Sequence, residues 1–466
     1  MDVNSFWEMN PLFNPVLFAS VARSYLFDTD RVWRASREEL ERYRDNAFKR
    51  VVKHAFNVPL YYKKYRAVGI KLSDIDGIKD IGKLPVVSKD DFRNASLNDL
   101  LPVGSDKNGF SMVSTSGSTG KPVTLFTEPY TMFKTLIGFI RVIKEYGISW
   151  RKTRMSIIAD LSAESAEEAY FTGTAIPSLK PIFSLDNMQT FHVGEDPENI
   201  LKKMERFNPE FIGGYPGTLK ILAILKNRGK GENIRPRWIG SSGAILDDYT
   251  RKYIEDAFDA RVFDVYGATE CSPIAFECRN GNYHIQSDLV NLEFVDKYNN
   301  PVSPGKPANI IVTRLFGRGT PVVRYSGISD LVVPSDKECG CGMITPLIEK
   351  IEGRRVDAIV LPDGKIIPPS SFTGIPYKVM RRFNTKKIEQ FQIIQHDYNR
   401  VEILAVVDKR HEEPKIEVLF EALKEAYEKV LGKEVNVEVR EVREISMRRD
   451  GTVTPPPVVI SKVKKE

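Results

Sequence analysis

The chain has 466 residues, 42% hydrophobic and 28% charged, an ordinary globular composition with room for about three domains at roughly 150 residues each, or for one large domain and a smaller one. Its 68 basic and 62 acidic residues leave a net charge of +6 with both signs spread along the chain, which argues against a nucleic-acid binder. No apolar run approaches the roughly 18 residues of a membrane span, the N-terminus lacks the basic start of a signal peptide, and four cysteines are too few for a disulfide scaffold, so a cytoplasmic protein is expected.

In chain order, residues 36 to 56 predict an amphipathic helix, with Ser36 and Glu39 as a capping box at its start. The stretches NVPLYYKKY and KLPVVSKDDF then set Pro and turn residues between short elements. PEFIGGY precedes PGTLKILAILKNRG, and RPRWIGSSG precedes LDDYTRKYIEDAF. Strand then helix, repeated, predicts α/β layers with a mostly parallel sheet. After about residue 290 short β-like runs take over. From 385 onward strands and one helix predict a separate α+β domain of about 100 residues, its boundary within EKIEGRRVDAIVLPDG. The expected division is 1–352, a hinge at 353–358, and 359–466.

One loop stands out chemically. Ser116, Gly117, Ser118, Thr119, Gly120 and Lys121 offer little packing but many backbone N–H groups, hydroxyls and one fixed cation. This is not the nucleoside-triphosphatase P-loop, because Thr115 and Pro122 occupy positions where that motif needs Gly and Ser or Thr. By itself the stretch reads equally well as a flexible surface loop.

Its companions favour phosphate. TSGSTGKP resembles the phosphate loop of the adenylate-forming superfamily, which includes acyl-CoA ligases. Downstream, DVYGATE resembles the segment in which that family stacks adenine on a Tyr and contacts phosphate and Mg²⁺ through Thr and Glu. The resemblance assigns these roles to Tyr266, with Gly267 beside it, and to Thr269 and Glu270, with Glu270 holding magnesium. Asp330 in RYSGISDL and Arg354 in EGRRVD match the ribose-contacting positions. Gly243 and Ala244 in SSGA match the turn beside nucleotide and acyl group. HAFNVPLYYKKY and KLPVVSKDDFRN look like N-terminal signatures of the phenylacetate–CoA ligase branch, which also holds deazaflavin-coenzyme adenylating enzymes and relatives linked to capsular polysaccharide synthesis. The match runs from about residue 36 to 360 and is thinner beyond.

The resemblance implies a large N-terminal adenylate-forming domain with layered sheets and helices, a small C-terminal α+β lid, and a ligase using ATP, Mg²⁺ and CoA. A small-molecule carboxylate would attack the α-phosphate of ATP, giving an acyl-adenylate and pyrophosphate, and the acyl group would pass to CoA. Lys121 and Glu270-bound Mg²⁺ would stabilise the charge that develops. A homodimer is a further family expectation; a membrane partner is not.

Three departures stand against this. The family's C-terminal Gly-Lys, whose Lys reaches the reacting groups, aligns with Gly451-Thr452 in SMRRDGTVTPPP, leaving Arg448, Arg449 or Lys462 as substitutes. At the hinge, Val356 stands where the family has Asp, and Asp357 follows one position later. The acyl-pocket stretch keeps only YFTG, with Tyr170, Phe171 and Tyr215 as candidate wall residues or plain packing. Two alternatives therefore stand: transfer of AMP or acyl to an acceptor other than CoA, or a nucleotide-binding protein that has lost adenylation.

Cys278 and His284 in ECRNGNYH, with Cys339 and Cys341 in ECGCGM, make a complete donor set for a tetrahedral structural zinc. The alternative is two pairs of reduced cysteines and a surface histidine. Cys271 reads as core or pocket wall.

Overall fold

A computed structural model describes residues 11–115, 122–354, 357–445 and 458–463. The chain opens with helices α1 (Pro15–Asp28), α2 (Arg37–Ala55) and α3 (Pro59–Ala67). The start of α2 is the predicted capping box. Ser36 Oγ accepts from the Glu39 amide at 3.2 Å, and the Glu39 carboxylate accepts from the Ser36 amide at 2.8 Å. Two otherwise orphaned donors are thus satisfied. The hairpin β1 (Ser111–Ser114) and β2 (Thr124–Thr127) leads into α4 (Pro129–Glu145).

The central sheet has eleven strands: β3 (Met155–Ala159), β4 (Met188–His192), β5 (Phe211–Gly214), β6 (Trp238–Ser242), β7 (Arg261–Ala268), β8 (Ser272–Glu277), β9 (Tyr283–Ile285), β10 (Val290–Val295), β11 (Ala308–Arg314), β12 (Asp330–Ser335) and β13 (Leu347–Arg354). Helices α5 (Pro197–Phe207), α6 (Pro216–Asn227) and α7 (Asp248–Phe258) cross between the early strands. The expectation of a mostly parallel sheet needs correcting. β4, β3, β5, β6 and β7 are parallel, but every pairing from β7 through β8, β9, β13, β12 and β11 to β10 is antiparallel. The cause is the connections. After β7 the strands are joined by turns and loops without the helices that carry a parallel crossover.

Successive residues alternate between the two faces of this sheet. Phe211 and Phe263 turn to the α4 side, where Tyr146 stacks on Phe263 at 4.0 Å. Ile212 and Val262 turn to α5, α6 and α7. On the α4 side, buried Arg141 grips Asp288 with two nitrogens at 2.8 and 2.7 Å, and donates to the carbonyls of Asp28 and Thr29. Lys134 reaches the Asp28 carboxylate as well. The C-terminal end of α1 is therefore clamped onto α4 by paired, hydrogen-bonded charges, the arrangement in which buried ions are tolerated.

The remainder comprises the hairpin β14 (Ile359–Val360) and β15 (Ile366–Ile367), helices α8 (Ile375–Arg382) and α9 (Ile416–Leu431), and a sheet of β16 (Ile388–Asp397), β17 (Arg400–Val407), β18 (Asn436–Glu441) and β19 (Val459–Ser461) in the order β18-β17-β16-β19. It does not stand clear of the rest. One apolar core includes Ile254 and Phe258 of α7 together with Ile388 and Phe391 of β16. Arg228 bonds Glu389 at 2.5 Å, and the buried Lys220 ammonium sits 4.2 Å above Tyr249 and 5.2 Å from Phe391.

Candidate active site

The carboxyl ends of β5, β6 and β7 open on a cavity of about 1000 Å³. This end of a parallel sheet is where α/β folds place ligands, because the strands stop there and leave backbone groups and loops around a crevice. Tyr215 follows β5, Gly243 and Ala244 follow β6, and Gly267, Thr269 and Glu270 lie at the end of β7; all line the cavity, with Asp330 and Arg354 facing them from β12 and β13. Gly243 has φ +82°, and a Cβ there would stand 2.5 Å from the Tyr215 ring. Only glycine takes this turn without displacing Tyr215.

Tyr266 and Asp330 are joined directly: the tyrosine hydroxyl donates to the carboxylate at 2.9 Å. Arg354 is the strand partner of Asp330 and draws the aspartate's pKa down, while burial, the larger effect, drives it above its ordinary value. Glu270 is buried, accepts from the Tyr325 hydroxyl at 3.0 Å, and is likewise pushed up by burial. A buried carboxylate backed by one hydrogen bond and open to a cavity suits a cation such as Mg²⁺.

The phosphate-loop residues Ser116, Gly117, Ser118, Thr119, Gly120 and Lys121 lie outside the described residues, as do Val356, Arg448, Arg449 and Thr452. The base of the loop is described. The Thr115 amide donates to the Val123 carbonyl and the Val123 amide to Thr115 Oγ1, both at 3.0 Å, and Ser114 and Thr115 line the cavity. Asp357 also lines it, whereas Lys462 lies 3.1 Å from His396 and away from it. Tyr170, Phe171 and Tyr215 all stand in its wall, Tyr170 and Phe171 on one widened π-type turn. Cys271 is fully buried in the core.

Two wall residues escaped the sequence reading. Lys89 lines the cavity at the first position of the short helix Lys89–Asn94. Burial pushes its ammonium down, the Glu270 and Asp330 carboxylates oppose this, and Arg93 and Arg354 add to the lowering. The signal was the Ser88–Asp91 capping box, which fixes where that helix starts. Glu167 accepts from the Tyr215 hydroxyl at 2.7 Å and from the Asp160 amide. Burial pushes its carboxyl up to about 7. Nothing in SAESAEEAY separates Glu167 from its exposed neighbours.

The raised carboxyl makes a stability prediction. Between the ordinary value of 4.5 and about 7 the folded chain holds a proton at Glu167 that the unfolded chain has lost, so stability falls as pH rises through that window. Above it the buried charge costs at most about 3.5 kcal/mol, an upper bound because the carboxyl faces the cavity. Glu167→Gln is expected to match the wild type in urea denaturation at pH 4.5 and to exceed it at pH 8. Equal stabilities at pH 8 would refute the burial.

The four predicted metal ligands come together. The donor atoms of Cys278, His284, Cys339 and Cys341 all lie within 4.8 Å of one another. Cys278 and Cys339 sulfurs are 3.7 Å apart, and Cys341 Sγ is 3.2 Å from His284 Nε2. With zinc–sulfur bonds near 2.3 Å and zinc–nitrogen bonds near 2.0 Å, a tetrahedron has edges of about 3.5–3.8 Å. Burial pushes His284 down to about 4, keeping the imidazole neutral, and its Nδ1 faces Thr345 Oγ1 at 3.2 Å. That contact is the outer-shell hydrogen bond that orients a histidine ligand. The donors come from the β8–β9 hairpin and the loop before β13.

The chain is similar to known proteins both in sequence and in fold. Residues 359–455 match the family model described as CapK C-terminal domain, in the part of the chain where the resemblance looked thinner. The chain is 24% identical to protein CapK of Staphylococcus aureus over 348 residues, 72% of this chain and 73% of that one. It is 25% identical to phenylacetate-coenzyme A ligase of Aromatoleum evansii over 358 residues, 73% and 76% of the two. A crystal structure of 2-hydroxyisobutyryl-CoA ligase, in the postadenylation state with 2-HIB-AMP, superposes with a TM-score of 0.77 at 18% identity, over 93% of this chain and 91% of that one. The chain shares the fold of that ligase. In sequence the chain is similar to phenylacetate-coenzyme A ligase and to protein CapK, and its C-terminal part matches the CapK C-terminal domain.

Proposed function

We propose that this protein activates a carboxylic acid with ATP to an acyl-adenylate and passes the acyl group to CoA. The observation that carries the reading is the convergence of Asp330, Arg354 and Glu270 on one cavity at the carboxyl ends of β5, β6 and β7, with Tyr266 bonded to Asp330 behind its wall. Asp330, held by the Tyr266 hydroxyl, would accept from ribose hydroxyls. The loop from Ser116 to Lys121, entering from Thr115, would cradle the β- and γ-phosphates through backbone N–H groups. Thr269 would contact the α-phosphate. Magnesium held by Glu270 would offset the negative charge that builds on the phosphates. The acid's carboxylate would lie near Gly243 and Tyr215, whose close turn lines the cavity. Zinc at Cys278, His284, Cys339 and Cys341 would be structural, since the four residues fill its coordination shell. Residues 1–352, 353–358 and 359–466 would act as body, hinge and lid.

The family lysine aligns with Thr452, so another cation would have to meet the reacting groups. Lys89 supports that role through its place beside Glu270 and Asp330 in the wall. Lys89→Ala is expected to lower kcat for pyrophosphate release by about a hundredfold, the scale of losing one preorganised charge contact. An unchanged rate would remove Lys89 from the chemistry. Thr452→Lys is expected to raise the rate if the substitute is imperfect. The whole reading is tested with purified protein, ATP, Mg²⁺ and a panel of acids: release of pyrophosphate on one acid, followed by acid-dependent consumption of free CoA, supports it. No pyrophosphate on any acid overturns it, and pyrophosphate without CoA consumption assigns a different acceptor.

A further inference from the structure

We propose that the acid is a medium-to-long aliphatic one, of about ten to fourteen carbons, rather than an aryl or short branched acid. The proposal deepens the acyl-adenylate reading and rests on it for the position of the carboxylate.

The cavity reaches well beyond the polar residues at the strand ends. On α1, Phe18, Val21, Ala22 and Tyr25 line it, at spacings of three, one and three. On α4, Phe133, Ile137, Ile140 and Ile143 line it, at spacings of four, three and three. Each set is one stripe of a helix. The two apolar stripes line a common space, although the C-terminal end of α1 is clamped onto α4. Phe18 and Tyr25 remain 47% and 39% exposed, although every neighbour of theirs in that stripe is apolar or small. Apolar side chains that line an empty limb lose the burial that would stabilise them, and an apolar ligand restores it.

The floor of the limb is flat. Phe211 lies over Gly213 and Gly240, paired in register on β5 and β6; a Cβ on Gly240 would meet the Phe211 ring at 2.9 Å. Glycine at both positions lets the ring lie down on the sheet instead of standing into the limb. At the far end Trp150 meets Tyr25 and Phe183 edge-on, with ring centres at 6.3 and 5.4 Å. The Trp150 indole N–H donates to the Tyr25 hydroxyl at 3.2 Å, so the indole donor at this end is satisfied.

Length follows from the helix. Phe133 lies in the first turns of α4, just after β2, and Ile143 near its end, before Trp150. Ten residues of helix advance about 15 Å, and with carbon–carbon bonds near 1.52 Å an extended chain advances about 1.25 Å per methylene, so the limb takes about twelve carbons. The cavity volume of about 1000 Å³ stands at the top of the range for small-molecule sites, which leaves room for a nucleotide and a chain together.

The test is a chain-length series. Pyrophosphate release is measured on saturated acids from hexanoate to hexadecanoate and on phenylacetate, and the binding of dodecanoate and hexanoate is measured by calorimetry. The expected result is a rise in kcat/KM of about fourfold per methylene up to a maximum between ten and fourteen carbons. Ile140→Trp should move the maximum to shorter acids. Phe183→Ala, at the outer end where the fold is least engaged, should move it to longer ones. A maximum at phenylacetate or hexanoate, or a flat series, overturns the proposal while leaving adenylation intact. If no acid turns over, binding decides: dodecanoate at least tenfold tighter than hexanoate upholds the chain-binding limb and overturns only the adenylation reading. Equal or absent binding overturns both.

Discussion

Glu270→Gln is expected to slow pyrophosphate release by two to three orders of magnitude, with the protein still folded. The exchange removes a negative charge and almost no volume. The amide oxygen still accepts from Tyr325, whose hydroxyl stands 3.0 Å from Glu270, and Arg314 still donates to the backbone carbonyl of residue 270 at 3.1 Å. What is lost is the anionic oxygen, and with it, in the proposed mechanism, the ligand that would hold magnesium next to the phosphates. Losing one such electrostatic contact typically costs 10²–10³ in rate. Asp330→Asn separates binding from chemistry: it weakens the grip on ribose, so it should raise KM for ATP more than it lowers kcat. A Glu270→Gln enzyme as fast as the wild type would move the metal site elsewhere.

Zinc removal is the second large effect. One zinc per chain is expected by elemental analysis of the purified protein, and Cys339→Ser or Cys341→Ser should abolish it. Loss of a metal that closes a site belongs to the small set of changes worth more than about 4 kcal/mol. The centre ties the β8–β9 hairpin to the loop before β13, and His284 pairs with Leu347 across that junction. β8 in turn pairs with β7 up to Ala268, two residues from Glu270. Chelation should therefore lower the melting temperature and loosen nucleotide binding together. A protein that melts identically with and without a strong chelator, and carries no zinc as purified, would refute the centre.

The parts of this site that the sequence disclosed share one property: their chemistry lies in a local pattern. Ser36 and Glu39 are three residues apart because a helical turn requires it. Cys339 and Cys341 need flanking glycines to turn so tightly. YGATE and RYSGISDL were readable through resemblance, since neither spacing nor composition alone joins Tyr266 to Asp330 across 64 positions. The antiparallel half of the sheet was misread because a strand buried on both faces has the same apolar run in either direction, and only the lengths of the later connections distinguish them. Glu167 was invisible for a similar reason. Its carboxyl is raised by burial against residues distant in sequence, with the Tyr215 hydroxyl opposing the rise, and a run of small and acidic residues says nothing of that burial. The stripe on α1 has proper helical spacing, but spacing reports a face without saying whether protein or ligand covers it.

The apolar core that joins α7 to β16 has a consequence for kinetics. If the C-terminal part swings between adenylation and thiol transfer, Ile388 and Phe391 leave Ile254 and Phe258, and Lys220 keeps Tyr249 but loses the Phe391 ring. The swung arrangement is then a minor population before the thiol arrives. A ligand that binds only a minor form has its apparent affinity reduced by the fraction present. CoA should thus look weaker than its contacts alone would make it, and loosening this seam, by Phe391→Ala or Arg228→Ala, should tighten the apparent CoA affinity while leaving the first half-reaction nearly untouched.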